Sequence, residues 1–150
     1  MYNKEIESLV TGRYILNQSL KGKIINGIPF LKVKIKGIEM PKDFSYYQDG
    51  IDAIFDTGAN KTHITPDFAK ILNLKSIREE CGNYIVESGI SKTKVFDIEF
   101  NILGIDNNFK EEFKELPYKF QYPLIFGTEF LQKCKKLNMD FINDSYVLEL

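Results

Sequence analysis

The chain has 150 residues and a mass of 17.4 kDa, which corresponds to one domain and is too short for two lobes with separate cores. A mechanism that needs two matched halves must therefore take its second half from another chain. Twenty Lys and Arg residues against 21 Asp and Glu residues give a net charge of -1 and a sequence pI of 5.9. This balance provides no basic surface for nucleic acid, so we expect no nucleic-acid partner.

Cysteine and histidine usage argues against a metal site. Cys81 and Cys134 have no Cys-x-x-Cys spacing, and His63 is the one histidine of the sequence. A zinc site built by one chain would lack ligands, so we expect no metal, no cofactor and two buried, reduced thiols. The sequence has no signal-like apolar opening and no stretch near the roughly 18 apolar residues of a membrane span. We therefore predict a cytoplasmic protein with no membrane partner.

The first third of the chain predicts strands separated by a loop. Residues 24–36 alternate apolar side chains with lysines after an Asn26-Gly27 turn signal, which is typical of a half-buried strand. Residues 37–50 collect Gly, Pro, Asp and Ser and predict a loop. Residues 51–56 form a short apolar run, which indicates an interior strand.

A short helix and a long hairpin follow. Thr65 is placed to cap a helix over residues 66–72, with a proline at its first position, and Asn73 is a plausible left-handed stop. Residues 82–103 contain two β-type stretches around Glu87-Ser88-Gly89, so we predict a hairpin with a small polar tip, a candidate flap.

The last third predicts another strand, a helix and a terminal hairpin. Residues 104–120 are charged and irregular, and indicate a connection with a short helix at best. An apolar strand over 122–126 leads to Thr128, which is placed to cap a second helix ending near residue 135. Alternating residues around Asn143-Asp144 predict a closing hairpin. The predicted fold class is mostly β with two short helices.

The segment that indicates chemistry is Asp56-Thr57-Gly58, which directly follows an apolar strand. The tripeptide alone is weak evidence. Its context adds a capped helix, a long hairpin and a second apolar strand, Leu124-Ile125-Phe126-Gly127, that leads into a helix. Together these features resemble the retropepsin-like aspartic proteases.

The resemblance covers residues 24–150 and implies a single closed-barrel domain with a flap hairpin, preceded by an N-terminal extension over residues 1–23. In that family one chain supplies half an active site, and this sequence has no second Asp-Thr-Gly or Asp-Ser-Gly. The resemblance therefore implies a homodimer with a two-fold interface. The extension is open to three interpretations: an inhibitory pro-segment, a dimer strand, or neither.

The resemblance assigns the catalytic residues. Asp56 and its symmetry mate would share one proton, so that one carboxyl acts as base toward water and the other as acid toward the leaving nitrogen. Thr57 would send its hydroxyl across the two-fold axis to the other chain. Gly58 has no Cβ, so its backbone can approach carboxylates and substrate closely.

The resemblance also assigns substrate-binding positions near the triplet. Ala59 lacks the hydroxyl that many pepsin-like relatives present to the ionised carboxylate, which favours activity at mildly acid to near-neutral pH. Asn60 and Lys61 match positions that touch the substrate main chain, although the retroviral enzymes commonly have acidic residues there. These two departures leave the hydrogen-bond pattern toward substrate open.

The remaining substrate-binding positions lie further along the chain. His63 and Ile125 correspond to subsite walls, and Ser88, Gly89 and Ile90 match the flap tip, which would close over a bound peptide. For His63 the alternative is an ordinary half-exposed strand residue.

Two functions remain open at this point. The resemblance implies an aspartic endopeptidase that cleaves protein or peptide substrates. The alternative is a non-catalytic retropepsin-like module that binds peptides or dimerises.

Overall fold

The computed structural model describes residues 12–14, 16–47, 49–86 and 89–150. This part of the chain contains ten strands, two short α-helices and one 3-10 helix. The strands are β1 (Ser19–Ile25), β2 (Ile28–Ile35), β3 (Ile51–Phe55), β4 (His63–Ile64), β5 (Arg78–Val86), β6 (Gly89–Ile102), β7 (Phe109–Glu115), β8 (Leu124–Phe126), β9 (Lys136–Asp140) and β10 (Ser145–Glu149). The helices are α1 (Pro66–Ile71), α2 (Thr128–Leu131) and the 3-10 helix (Lys42–Tyr47), which is kinked at Phe44.

Six strands close into a barrel in the order β6-β7-β4-β8-β3-β2, and β2 pairs back with β6 through Val33 opposite Ile102 and Ile35 opposite Phe100. Strand β5 extends from β6 as the predicted long hairpin, and β1, β10 and β9 extend from β2. The predicted mostly β class with a closed barrel and two short helices is confirmed.

Turn residues behave as the sequence predicts. Asn26 and Gly27 both have positive φ, 51° and 78°, which is the geometry of the tight hairpin turn between β1 and β2. Asp144 in the β9–β10 turn and Asn73 after α1 also have positive φ. These short polar residues accept the left-handed backbone at low cost because their side chains can bond locally.

Two apolar strands pair in parallel at the centre of the barrel. Residues 53–55 of β3 lie beside residues 124–126 of β8, with Ile54 opposite Ile125 and Phe55 opposite Phe126. All six of these paired residues are buried, as short apolar runs predict. Since the strands are parallel, the residues that follow them, Asp56 and Gly127, emerge at the same edge.

Phenylalanine rings fill the barrel. The buried rings in this cluster are Phe55, Phe100, Phe109, Phe113, Phe126 and Phe130. Phe130 belongs to α2, and its ring centroid lies 4.6 Å from that of Phe126. Burying one such side chain contributes roughly 1.5–3 kcal/mol, so Phe130 holds the short helix against the end of β8.

Two sequence predictions are wrong in detail. Residues 104–120 contain strand β7 rather than a plain connection. The second helix covers Thr128–Leu131 alone, with Gly127 at the cap position and no side-chain cap bond. Its early end has a physical reason, because the chain must turn to bring Lys135 into its backbone bond with Glu149 of β10.

The thiols and the loop over residues 37–50 also differ from expectation. Cys134 is buried, and burial raises its pKa to about 12, but Cys81 is exposed on the hairpin strand β5. The loop includes the 3-10 helix, whose Tyr47 ring packs edge-on against Phe68 of α1. An aromatic pair of this kind stabilises a turn that its Gly and Pro content alone does not predict.

The residues before position 24 are partly built into the sheet. Strand β1 begins at Ser19, and Ser19 to Lys23 pair with β10. Further upstream, the Tyr14 ring packs at 4.9 Å from Phe109. The division into residues 1–23 and 24–150 stays a prediction. In the part of the chain described above, no helix has the length and apolar character to cross a membrane.

Candidate active site

Asp56 stands at the carboxyl end of β3 with its side chain exposed. Its backbone N–H donates to the Phe126 carbonyl at 2.9 Å, so the strand pairing extends to this residue. The carboxylate Oδ1 accepts the Gly58 N–H at 2.9 Å, and the Ala59 N–H donates to the Asp56 carbonyl at 3.1 Å. This turn fixes the orientation of the Asp56 side chain, because an aspartate oxygen that bonds to the backbone two residues further on forms a local turn of its own.

The loop after Asp56 rests on the start of α2. Thr128 N–H donates to the Ala59 carbonyl at 2.8 Å, and Glu129 N–H donates to the Asn60 carbonyl at 3.0 Å. The first N–H groups of a helix have no partner within it, and here the loop supplies one for each. Lys61 adds an ion pair with Glu129 at 3.2 Å between half-exposed side chains, worth at most about 1 kcal/mol.

Gly127 lets the loop and the helix touch. A Cβ built at this position would lie 2.3 Å from the Lys61 carbonyl oxygen and 2.7 Å from that of Ala59. The Gly127 N–H donates to the buried hydroxyl of Thr62 at 3.4 Å. Glycine is therefore required here for a close approach of two backbones rather than for an unusual φ.

A cleft of about 360 Å³ opens beside Asp56. The predicted site residues that line it are Asp56, Gly58, Ala59, Asn60, Lys61, His63 and Ile125. Thr57 is exposed in the same turn but is outside the lining residues. The structure thus brings together residues from two segments separated by some sixty positions, because β4 pairs with β8 and places His63 opposite Ile125.

The flap residues are described in part. Gly89 opens β6 with φ 116° and pairs with Val86, and the Ile90 backbone pairs with Ile85. Ser88 and the Ile90 side chain lie outside the described residues. At its base the same hairpin contributes Glu80, Cys81 and Thr93 to the cleft wall.

The two ring nitrogens of His63 differ in their hydrogen bonding. Its Nδ1 lies 3.3 Å from the Lys114 carbonyl oxygen, which can act as an acceptor and not as a donor. Burial lowers the pKa of His63 below its ordinary value, against the opposing effect of that backbone bond. The ring is therefore neutral near neutral pH, with its proton on Nδ1 and a lone pair on Nε2.

A charged network forms the far side of the cleft. Lys114 donates to Glu80 at 2.6 Å, Arg78 Nε donates to Glu80 at 2.8 Å, and Arg78 also contacts Glu112. The hydrogen bond from Lys114 and then that from Arg78 lower the pKa of Glu80 to about 2. Glu80 is therefore ionised near neutral pH.

Sequence reasoning missed the cleft residues on β5, β6 and β7, among them Glu80, Thr93 and Lys114. They belong to no motif, and their strands alternate polar and apolar residues as any half-solvated sheet does. Recognition of β7 would have revealed Lys114, since Lys114 pairs with His63 in the barrel.

Comparisons with solved structures identify the fold. A retropepsin-like aspartic protease from Rickettsia conorii superposes with a TM-score of 0.58 over 87% of this chain and 90% of that chain, at 16% identity. The protease of simian foamy virus gives 0.46 over 68% and 90%, at 19% identity. The retroviral protease-like domain of Ddi1 from Leishmania major gives 0.46 over 80% and 90%, at 14% identity.

No family model and no curated protein matches the sequence. The likeness to the Rickettsia structure shows that the chain has a retropepsin-like fold, as its Asp56-Thr57-Gly58 segment and its second apolar strand predict.

Proposed function

We propose that this protein is an aspartic endopeptidase whose catalytic dyad is Asp56 and the same residue of a second copy. The observation that carries the proposal is the exposed Asp56 carboxylate, oriented by the Gly58 N–H at the floor of a cleft, in a retropepsin-like fold. Thr57 and Gly58 complete the catalytic loop.

The proposed chemistry follows from two carboxyl groups that share one proton. Two carboxyl groups about 3 Å apart do not both ionise, because their negative charges would repel each other. One group is therefore the base and the other the acid. The base takes a proton from water as the oxygen of that water bonds to the peptide carbonyl carbon. The acid then protonates the leaving nitrogen as the C–N bond breaks. The reaction as proposed uses neither a metal nor a covalent intermediate.

A homodimer is part of this proposal, and exposed apolar residues support it. Phe141 and Ile142 in the β9–β10 turn are 61% and 93% exposed, and Ile25 is 42% exposed. Strand β2 starts at the end of the barrel where β3 terminates in Asp56, and Lys23 of the adjacent β1 pairs with Ser145 just after that turn. These apolar side chains therefore lie at the Asp56 end of the molecule, the end that a partner must cover.

The proposed substrate is an extended peptide, bound as a strand between the flap hairpin and the cleft floor. Ala59, Asn60 and Lys61 would contact its main chain, His63 and Ile125 would line a subsite, and the flap positions Ser88, Gly89 and Ile90 would cover it. These roles follow from the resemblance of the sequence to the retropepsin-like proteases. The cytoplasmic location stays a prediction from the sequence.

The test is cleavage of a mixed peptide library by purified protein and by the Asp56→Asn variant. We expect the wild type to cleave extended peptides and Asp56→Asn to lose at least about a thousandfold in kcat/KM, because an amide cannot serve as base or acid. Asp52→Asn is the matched control, since Asp52 lies on β3, the strand that Asp56 follows, and forms a partly exposed ion pair with Lys32 at 2.9 Å.

Asp52→Asn should retain wild-type activity. Cleavage that survives in Asp56→Asn would point to a different site or to a contaminant and would contradict the proposal. Wild-type protein that binds peptides in the cleft without cleaving them would instead support the non-catalytic module.

A further inference from the structure

Five cleft residues lie on one face of the barrel wall across five neighbouring strands. In adjacent strands, directly opposite residues present their side chains to the same face. Ile125 is opposite His63, His63 is opposite Lys114, and Glu80 is opposite Thr93. The ion pair between Lys114 and Glu80 joins the two sets. We call His63, Glu80, Thr93 and Lys114 the polar wall.

Thr93 is the least explained member of the polar wall. It is 8% exposed, it lines the cleft, and its hydroxyl forms no hydrogen bond with the described part of the chain. A buried hydroxyl without a hydrogen-bond partner is destabilising. A ligand group that reached this wall would therefore gain a hydrogen bond that the protein itself leaves unused.

His63 provides a second unused group. Its Nδ1–H is engaged by the Lys114 carbonyl, so Nε2 is the ring atom left to accept a hydrogen bond. The ring lines the cleft between Ile125 and Lys114. A hydrogen-bond donor on the substrate could therefore bind to Nε2 of His63.

The charges of the polar wall are already balanced. Glu80 is bonded to both Lys114 and Arg78, and Arg78 is bonded to Glu112. A cationic substrate side chain would meet Lys114 at close range, and an anionic one would meet Glu80. A neutral group with both donor and acceptor atoms avoids both repulsions.

We propose that the polar wall is a substrate subsite for a carboxamide side chain, that of Gln or Asn. The amide N–H groups would donate to His63 Nε2 and to a Glu80 oxygen, and the amide carbonyl would accept from the Thr93 hydroxyl. Ile125 would contact the aliphatic part. This inference rests on the proposed function, since it names the substrate class of the same cleft.

The test compares peptides that differ at one position between Gln and Met, which have similar length but differ in hydrogen bonding. The peptides form a set in which that pair is moved through every position. Binding is measured to Asp56→Asn protein, so that no turnover is needed. At one position we expect Gln to bind about tenfold more tightly than Met, which corresponds to one or two hydrogen bonds.

Three variants in the Asp56→Asn background identify the cause. Thr93→Val removes the hydroxyl at nearly constant shape and should reduce the Gln preference severalfold without weakening the Met peptide. Thr93→Ser keeps the hydroxyl and should keep the preference. If Thr93→Val fails to fold, His63→Leu removes the Nε2 acceptor and should reduce the same preference.

Equal binding of Gln and Met peptides at every position would overturn the subsite, as would a Gln preference that persists in folded Thr93→Val or, where that variant does not fold, in His63→Leu. The two proposals fail separately. A Gln preference in binding without any wild-type cleavage contradicts the peptidase and leaves the subsite standing. Cleavage without any Gln preference contradicts the subsite alone.

Discussion

Gly127 and Asp56 follow paired parallel strands, and the loop after Asp56 packs against Gly127 beneath the cleft residues Ala59 and Lys61. The Asp56 loop returns over Gly127, where carbonyl oxygens of Ala59 and Lys61 occupy the space that a side chain would need. Such contact between backbones leaves no flexible atom to move aside. The position of the carboxylate thus depends on a residue that itself carries no functional group.

At this scale we expect Gly127→Ala to destabilise the protein by about 1–3 kcal/mol, since the added methyl overpacks a closed contact. Urea unfolding measures the loss. Gly37→Ala is the control, because its Cβ would meet nothing within 4 Å and its φ of 75° costs about 1–2 kcal/mol for left-handed backbone.

The two variants should lose similar stability but differ in peptide binding. Gly127→Ala should weaken peptide binding by the folded protein, whereas Gly37→Ala should not. Wild-type binding by Gly127→Ala would mean that the contact does not hold the cleft floor.

Much of the residue-scale site was predictable from sequence. Asp56-Thr57-Gly58 stands out as an apolar strand followed by a glycine-containing turn, which is a local pattern, whereas Ile125 was assigned to the site by the resemblance to a family. Thr93 and Glu80 were not predictable, since their place in the cleft depends on strand register. A register is a relation between distant segments, and neither segment records it alone.

Strand β7 was not predicted because one of its inward-facing side chains is charged. Phe109 and Phe113 face the core, but Glu111 between them is a buried carboxylate, 7% exposed. Lys133 donates to both Glu111 oxygens at 2.9 and 3.0 Å, and the Tyr14 hydroxyl donates to one of them. A charge at an inward position breaks the alternation by which a strand is recognised.

At the element scale we expect Lys133→Met to lower the free energy of unfolding by about 2 kcal/mol near neutral pH, because it leaves the Glu111 carboxylate buried without its cation. Burial raises the pKa of Glu111 and the bond from Lys133 lowers it. A carboxyl group whose pKa is higher in the folded state than in the unfolded state contributes most to the free energy of unfolding below its unfolded pKa. This contribution is lost as pH rises through the folded pKa.

The deficit of Lys133→Met should therefore shrink as pH falls toward the ordinary pKa of glutamate. Urea midpoints at neutral and acid pH measure it. The control is Lys110→Met, which breaks an exposed pair with Asp97 and should cost under about 1 kcal/mol. A deficit in Lys133→Met that does not change with pH would contradict the role assigned to Glu111.

Other elements were predictable because their signals are local. The Asn26-Gly27 turn, the Pro66 helix start and the Asn143-Asp144 turn each combine backbone preference with apolar alternation on either side. Helix α2 was predicted too long, since its end is set by docking against β10 and not by its own residues.

At the scale of the whole molecule, barrel closure and symmetry are beyond what residue patterns specify. Strand β2 pairs with β6, which lies about seventy positions further along the chain. The closed barrel was predicted from the resemblance to a family and not from residue patterns. The homodimer is a further step, because it is inferred from the proposed chemistry: one chain offers one Asp-Thr-Gly carboxylate, at an exposed and partly apolar end, and the proposed dyad needs two.

The most direct measurement of the proposed dyad is the activity of mixed dimers. Wild-type and Asp56→Asn chains are unfolded together in urea, refolded at constant total concentration, and assayed over a range of mixing ratios. If catalysis needs both carboxylates, activity follows the square of the wild-type fraction and falls to about a quarter in an equal mixture. Activity that falls in proportion to the wild-type fraction, to about half, would mean that each chain works alone and would contradict a dyad shared between two chains.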